Sequence, residues 1–261
     1  MTFMGKVIAV HSYKGGTGKT ILSINLAAAL VKHGKKVCLM DLDFRAPSLS
    51  TLLKVEKADY WLNDYLNGIC GIDKVLIDLT ERIRDGGKLF VGLANPTTEA
   101  IRDISAKDRK WEMRALGRLL SLRNTLLNDK GFDYLVFDTS PGLQYSSINA
   151  IVSADLVIVA STLDKSDVEG TKRMLKELYD LFEKKTRIVT NKVLYGENIK
   201  SVKDVRSQME ELYGVPILGV IPCFCDVSRA KGTLIFVEDK PDHPFTKIMD
   251  EIATELEKMK V

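Results

Sequence analysis

Lys14-Gly15-Gly16-Thr17-Gly18-Lys19-Thr20 gathers two lysines, three glycines and a terminal hydroxyl into one short stretch. Glycines let the backbone turn tightly and bring successive N–H groups against an anion, and a helix that follows adds the positive end of its dipole. The chemistry this suits is phosphate binding. Lys19 is placed to neutralise β- and γ-phosphate oxygens, and the Thr20 hydroxyl to meet a magnesium ion. A nucleotide is the expected ligand, cradled by Gly15, Gly16, Thr17, Gly18, Lys19, Thr20 and Ile21. Three acids stand at or near the ends of apolar runs elsewhere in the chain: Asp41, Asp43 and Asp138. Any one of them alone reads as an ordinary loop or helix-capping carboxylate. Three at strand ends form a candidate set for handling a cation and a water.

Elements must bring these residues together. Val7 to Val10 is a short apolar run rich in β-branched residues, suited to a strand buried on both faces of a parallel sheet. The glycine-rich loop follows it directly, and residues 19–33 carry apolar side chains at helical spacing until Gly34 stops the pattern. A second strand over Val37 to Met40 runs into Asp41-Leu42-Asp43, and another over Tyr134 to Phe137 runs into Asp138-Thr139-Ser140-Pro141-Gly142. In open α/β sheets ligands bind at the carboxyl ends of the strands, where these acids fall. The intervening stretch predicts helices over Tyr60 to Leu66, near Ile72 to Leu79 and over residues 107–128, with a strand over Lys88 to Leu93. Beyond Asp138 the alternation is regular: strands at Leu156 to Ala160, Arg187 to Thr190 and Ile217 to Ile221, and helices at Asp167 to Phe182, Val202 to Tyr213 and Phe245 to Met259. Ser166 with Glu169 reads as a capping box. Strict alternation predicts an α/β fold, a doubly wound, mostly parallel sheet with helices on both faces. One domain over residues 1–261 is expected.

Composition agrees with that class. The chain is 45% hydrophobic, enough for a substantial core, and a net charge of +3 against 28% charged residues describes a mixed surface rather than a polyanion-binding one. No apolar run approaches the about 18 residues that span a bilayer, and no leader pattern precedes the first strand. Four cysteines in 261 residues are too sparse for a disulfide scaffold. A cytoplasmic protein is the expectation.

The pattern resembles the MinD/ParA family of P-loop ATPases, whose phosphate loop carries an extra lysine. The matching residues are Lys14-Gly15-Gly16, Gly18-Lys19-Thr20, Asp41 and Asp43, and Asp138 through Gly142, with Thr190-Asn191-Lys192 and Ile221-Pro222 where the family contacts the base. The resemblance implies Mg2+-dependent ATP hydrolysis. By similarity Asp43 positions the attacking water, Asp41 and Asp138 hold magnesium through its retained waters, and Ser140-Pro141-Gly142 forms a loop that senses the γ-phosphate. It also implies that Lys14 reaches the nucleotide of a second subunit, giving an ATP-dependent homodimer read by a still unidentified protein partner. The alternative for Lys14 is a solvated surface lysine. Asn191-Lys192-Val193-Leu194 lacks the carboxylate that guanine-specific relatives place two residues after the lysine, which favours adenine with Asn191 and Pro222 as contacts.

Other features divide the possible functions. The run from Asp41 to Ser48 also looks like bacterial tyrosine kinases of this class, but the tail from residue 239 has no tyrosine. Cys223 and Cys225 suggest a metal-cofactor assembly ATPase, against the plainer reading of small buried cysteines flanking Phe224. A nucleotide-binding adaptor with little hydrolysis is a third reading. DNA is not favoured, since Lys172, Arg173, Lys176, Lys184, Lys185 and Arg187 are interleaved with Glu169, Glu177, Asp180 and Glu183. Membrane is not favoured either: the last helix mixes Asp250, Glu251, Glu255 and Glu257 with Lys247, Lys258 and Lys260, where a membrane-surface helix wants a basic face.

Overall fold

A computed structural model describes residues 5–179, 182–196 and 201–259; Asp180 and Lys260 lie outside them. Among the described residues eight strands form one sheet in the order β3-β4-β2-β5-β1-β6-β7-β8. They are β1 (Lys6–His11), β2 (Lys36–Leu42), β3 (Ile77–Asp78), β4 (Lys88–Gly92), β5 (Tyr134–Thr139), β6 (Leu156–Ser161), β7 (Lys185–Val193) and β8 (Ile217–Pro222). Every pairing is parallel except β3 with β4. The helices are α1 (Lys19–Lys32), α2 (Leu49–Leu53), α3 (Leu62–Asn67), α4 (Thr98–Ser105), α5 (Arg109–Asn124), α6 (Tyr145–Ser153), α7 (Lys165–Met174), α8 (Val202–Tyr213), α9 (Cys225–Arg229), α10 (Phe236–Asp239) and α11 (Pro244–Lys258).

The two-residue period of a strand decides which face each side chain covers. In β1, Ile8 and Val10 join the core built with α1 and α11, whereas Val7 and Ala9 join the core built with α3, α5 and α6. Val157 and Val159 of β6 extend the second face under α7 and α8. The sheet is thus doubly wound with helices on both faces, as the alternation predicts. Because its central strands are parallel, their carboxyl ends share one edge. Register places Asp41 directly opposite Asp138 there.

Several local expectations need correction. Ile72 to Leu79 is not a helix: a single tight turn over Ile72–Lys74 is followed by β3, which exists through its antiparallel pairing with β4. Five short helices among the described residues lie outside the expected set: α2, α4, α6, α9 and α10. Of these α4 is capped by Thr97 Oγ1, which accepts from Ala100 N at 3.3 Å. The cap of α7 is Asp164, which accepts from Ser166 N at 3.0 Å and Asp167 N at 3.2 Å; Ser166 lies one step inside the helix. α7 then continues as a wider turn over Leu175–Tyr179.

The last helix covers core, with Phe245, Met249, Ile252 and Leu256 buried in the cluster that holds α1. No helix among the described residues is long and apolar enough to cross a membrane. Just past α1, His33 clamps α11 by bonding Asp250 at 2.7 Å and Glu257 at 2.8 Å. Partial burial works to lower the imidazole pKa, but these two carboxylates outweigh it and the net shift is upward. A raised histidine pKa contributes stability that is complete below the unfolded value of about 6.5 and disappears as pH rises through the folded value. The melting temperature of the wild type is therefore expected to exceed that of His33→Gln at about pH 6 and to converge with it by about pH 9, as read by thermal denaturation.

Candidate nucleotide site

Between β1 and α1 the chain makes the tight loop that the glycines predict. Gly16 (φ 80°) and Gly18 (φ 96°) adopt the left-handed backbone that side chains disfavour. At Gly18 a Cβ would also fall 2.5 Å from Asn191 Nδ2. That close approach is used: Asn191 Nδ2 donates to Thr17 O at 2.8 Å, and Lys192 Nζ donates to Gly16 O at 2.7 Å. The end of β7 thus fixes the loop by its carbonyls. Lys192 does so from a left-handed backbone of its own, a role the sequence reading did not assign.

Behind the loop lies a buried group of charges. Lys19 is 7% exposed, and burial lowers its amine pKa while Asp138, Asp43 and Asp167 pull it back up. Asp138 is pushed up to about 6 by burial, against the opposing pull of Thr20, Ser23 and Lys19; Ser23 Oγ donates to it at 3.0 Å. Asp41 stands well above the usual carboxylate range, first through burial and then through its neighbour Asp138, although Asp43 N and Leu49 N donate to it at 3.1 Å and 3.3 Å. Two adjacent buried carboxylates with raised proton affinity are short of positive charge. Together with the Thr20 hydroxyl they make a hard-oxygen donor set that fits a magnesium ion.

Asp43 sits closer to solvent. Its carboxylate accepts from Ser140 Oγ at 2.8 Å and from Ala46 N at 3.2 Å, so the loop after β5 holds it directly. A cavity of about 420 Å3 opens here, lined by Gly15, Gly16, Lys19, Thr20, Asp43 and Pro141 among others. A second of about 170 Å3 shares Gly18 and Ile21 with it and is walled by Asn191, Pro222, Phe224 and Phe245. The first suits a polyphosphate and the second a flat, largely apolar base. The structure therefore brings all the residues predicted from Gly15 to Ile21, with Asp41, Asp43, Asp138, Asn191 and Pro222, to one edge of the sheet. Phe224 belongs to the loop beginning at Pro222 that is expected to contact the base, whereas Phe245, from the last helix, is not expected there.

Lys14 goes elsewhere. Its Nζ bonds Asp164 Oδ1 at 2.8 Å and Ser166 Oγ at 3.2 Å at the start of α7, and the Asp164 bond raises its pKa. Neither partner is legible from the loop sequence. Cys223 lines the base cavity half-buried, and Cys225 is exposed because it opens α9, so the pair is not the buried one expected. In the basic cluster, Lys184 is engaged by the Val152 and Ala154 carbonyls and Arg187 by Thr186 O.

A family model described as an AAA domain matches residues 5–195. The chain is 30% identical over 248 residues to the septum site-determining protein MinD of Synechocystis, across 92% of this chain and 85% of that protein. Its fold is similar to that of the cell division ATPase MinD of Pyrococcus furiosus, with 24% identity and a TM-score of 0.79 over 98% of this chain and 100% of the other. It is equally similar to MinD of Pyrococcus horikoshii complexed with Mg-ADP, with 23% identity and a TM-score of 0.79 over 98% and 97% of the two chains.

Proposed function

Because the chain belongs to the MinD/ParA family of P-loop ATPases, we propose that it hydrolyses ATP with magnesium and uses the bound nucleotide to close a homodimer that a protein partner reads. The observation that carries this is the edge itself: a phosphate loop, a buried lysine and Asp43 line one cavity, Asp41 and Asp138 are buried just behind it, and the Lys14 ammonium turns away to the start of α7. Loop N–H groups and Lys19 bind and orient the phosphates. Thr20, Asp41 and Asp138 hold the magnesium ion, which supplies charge neutralisation at the phosphate oxygens. Asp43 orients the attacking water, and Ser140 fixes the carboxylate that does so.

Lys14 serves the second subunit. An exposed ion pair with Asp164 is held weakly in water, so the lysine can leave it for a phosphate of higher charge. Reaching across, it adds positive charge where the transition state spreads negative charge over the transferred group. Closure of the dimer and completion of the catalytic set are then one event, and hydrolysis undoes both. The test is ATP hydrolysis measured together with oligomeric state in ATP and in ADP.

The base cavity sets specificity. Leu194 occupies the position where a carboxylate would satisfy guanine, and it is 72% exposed rather than turned inward. Guanine donors left unpaired in the site cost about 1–3 kcal/mol. ATP is expected to displace a fluorescent ATP analogue at a concentration about 10- to 100-fold lower than GTP does. Equal displacement would remove adenine selectivity from this proposal.

A further inference from the structure

The segment from His11, the last residue of β1, to Lys14 touches α7 and its wider last turn at three levels. Lys14 meets Asp164 and Ser166 at its start. Tyr13 packs on Gly170, where a Cβ would fall 2.0 Å from the ring. His11, completely buried, bonds the Tyr179 hydroxyl at 2.5 Å at the far end. From Lys165 to Tyr179 the helix and its wider last turn span roughly 22 Å at the usual rise per residue.

His11 has a second bond, to Gly142 O at 2.9 Å. Burial pushes its imidazole down to about 4, against the opposing effect of the Gly142 carbonyl, so the ring is neutral and its two nitrogens differ. A carbonyl only accepts, so Nε2 carries the hydrogen and donates to Gly142 O. Nδ1 is then bare and accepts from the Tyr179 hydroxyl. One ring thus spans from the loop Ser140-Pro141-Gly142 to the end of α7 with both polar atoms used. The same loop holds Asp43 through Ser140 Oγ, and Gly142 N donates to Ser12 O at 2.9 Å.

We propose that His11 and Tyr179 are positioning residues that couple the loop Ser140–Gly142 to helix α7, so that a shift of the loop on γ-phosphate binding or loss is carried to the helix that holds Lys14. This rests on the nucleotide-switch reading above. A displaced Gly142 carbonyl either draws the His11 ring with it, straining the Tyr179 bond, or strands a buried donor. Either way the loop and α7 favour moving together. Gly170 contributes by letting Tyr13 seat against the helix, so that α7 shifts as a unit rather than bending locally.

The test compares wild type, Tyr179→Phe, His11→Phe and His11→Gln, the last retaining an amide donor and acceptor in place of the ring. Hydrogen exchange over residues 165–179 is read in Mg-ATP and in Mg-ADP, alongside ADP affinity, KM and kcat for ATP. In wild type the exchange over this helix is expected to differ between the two nucleotides. Tyr179→Phe, which removes one oxygen and leaves the packing, is expected to shrink that difference and to lower kcat about fivefold, the effect of one net hydrogen bond, with ADP affinity and KM unchanged. His11→Phe should do the same more strongly, and His11→Gln should restore part of the difference. If His11→Phe does not fold, Tyr179→Phe and His11→Gln decide the matter. A full ATP-against-ADP difference in Tyr179→Phe would overturn the coupling while leaving the nucleotide switch standing. No difference in wild type would overturn both, since there would be no state to carry.

Discussion

Asp43→Ala is expected to reduce ATP turnover by about 10²- to 10⁴-fold, the usual contribution of a positioned acid or base, while ATP still binds. The reason for the separation is geometric. Asp43 lines the phosphate cavity at its solvent side, bonded to Ser140 Oγ and Ala46 N, whereas the buried pair Asp41 and Asp138 sits behind the loop with Lys19. Removing its carboxylate leaves Ala46 N to solvent and takes an acceptor from the buried Ser140 Oγ and one negative charge from the neighbourhood of Lys19, but the bonds from Asn191 and Lys192 that hold the loop do not involve it. The fold and the phosphate cradle therefore survive. Single-turnover hydrolysis measured against equilibrium binding of a fluorescent ATP analogue resolves the two effects. A variant that hydrolysed ATP within a few-fold of wild type would take the water-positioning role away from Asp43.

Lys14→Ala is expected to lower hydrolysis by about 10³-fold or more, as loss of a cation reaching the transferred phosphate does. It should also abolish ATP-dependent dimerisation. Among the described residues the Lys14 ammonium bonds Asp164 and Ser166 at the exposed start of α7, and its ion pair with Asp164 is of the kind whose loss barely alters stability. A large kinetic effect with an unchanged melting temperature would therefore have to arise across the dimer. Mixing supplies a second readout. Lys14→Ala subunits with an intact Asp43 should regain turnover when combined with Asp43→Ala subunits that still carry Lys14, because each supplies what the other lacks.

Much of this site could be read along the chain because its parts are local and sit on strong periodic patterns. The glycine-rich loop lies between a β-branched strand and a helix, and the acids follow apolar runs, so parallel pairing alone brings them to one edge. What escaped the sequence is what depends on residues far apart. Lys14 and Asp164 stand 150 residues apart and meet because β6 pairs with β1, and Phe245 reaches the base cavity from the last helix. His11 reads as one more strand residue until Gly142 and Tyr179 appear at its two nitrogens. The short elements failed for another reason. Two-residue β3 exists through its pairing with β4. The capping signal at α7 went to Ser166 because the stronger cap, Asp164, lies two residues earlier and takes the hydroxyl of Ser166 as well.

Light scattering of the stalled Asp43→Ala protein, with and without Lys14→Ala, in Mg-ATP and in Mg-ADP, tests most directly whether the nucleotide closes a dimer through Lys14. In Mg-ATP the single variant is expected at twice the 29.2 kDa of one chain and in Mg-ADP at that of one chain, while the double variant stays monomeric in both. A double variant that dimerises in Mg-ATP as fully as the single one, or a single variant that stays monomeric there, would contradict it.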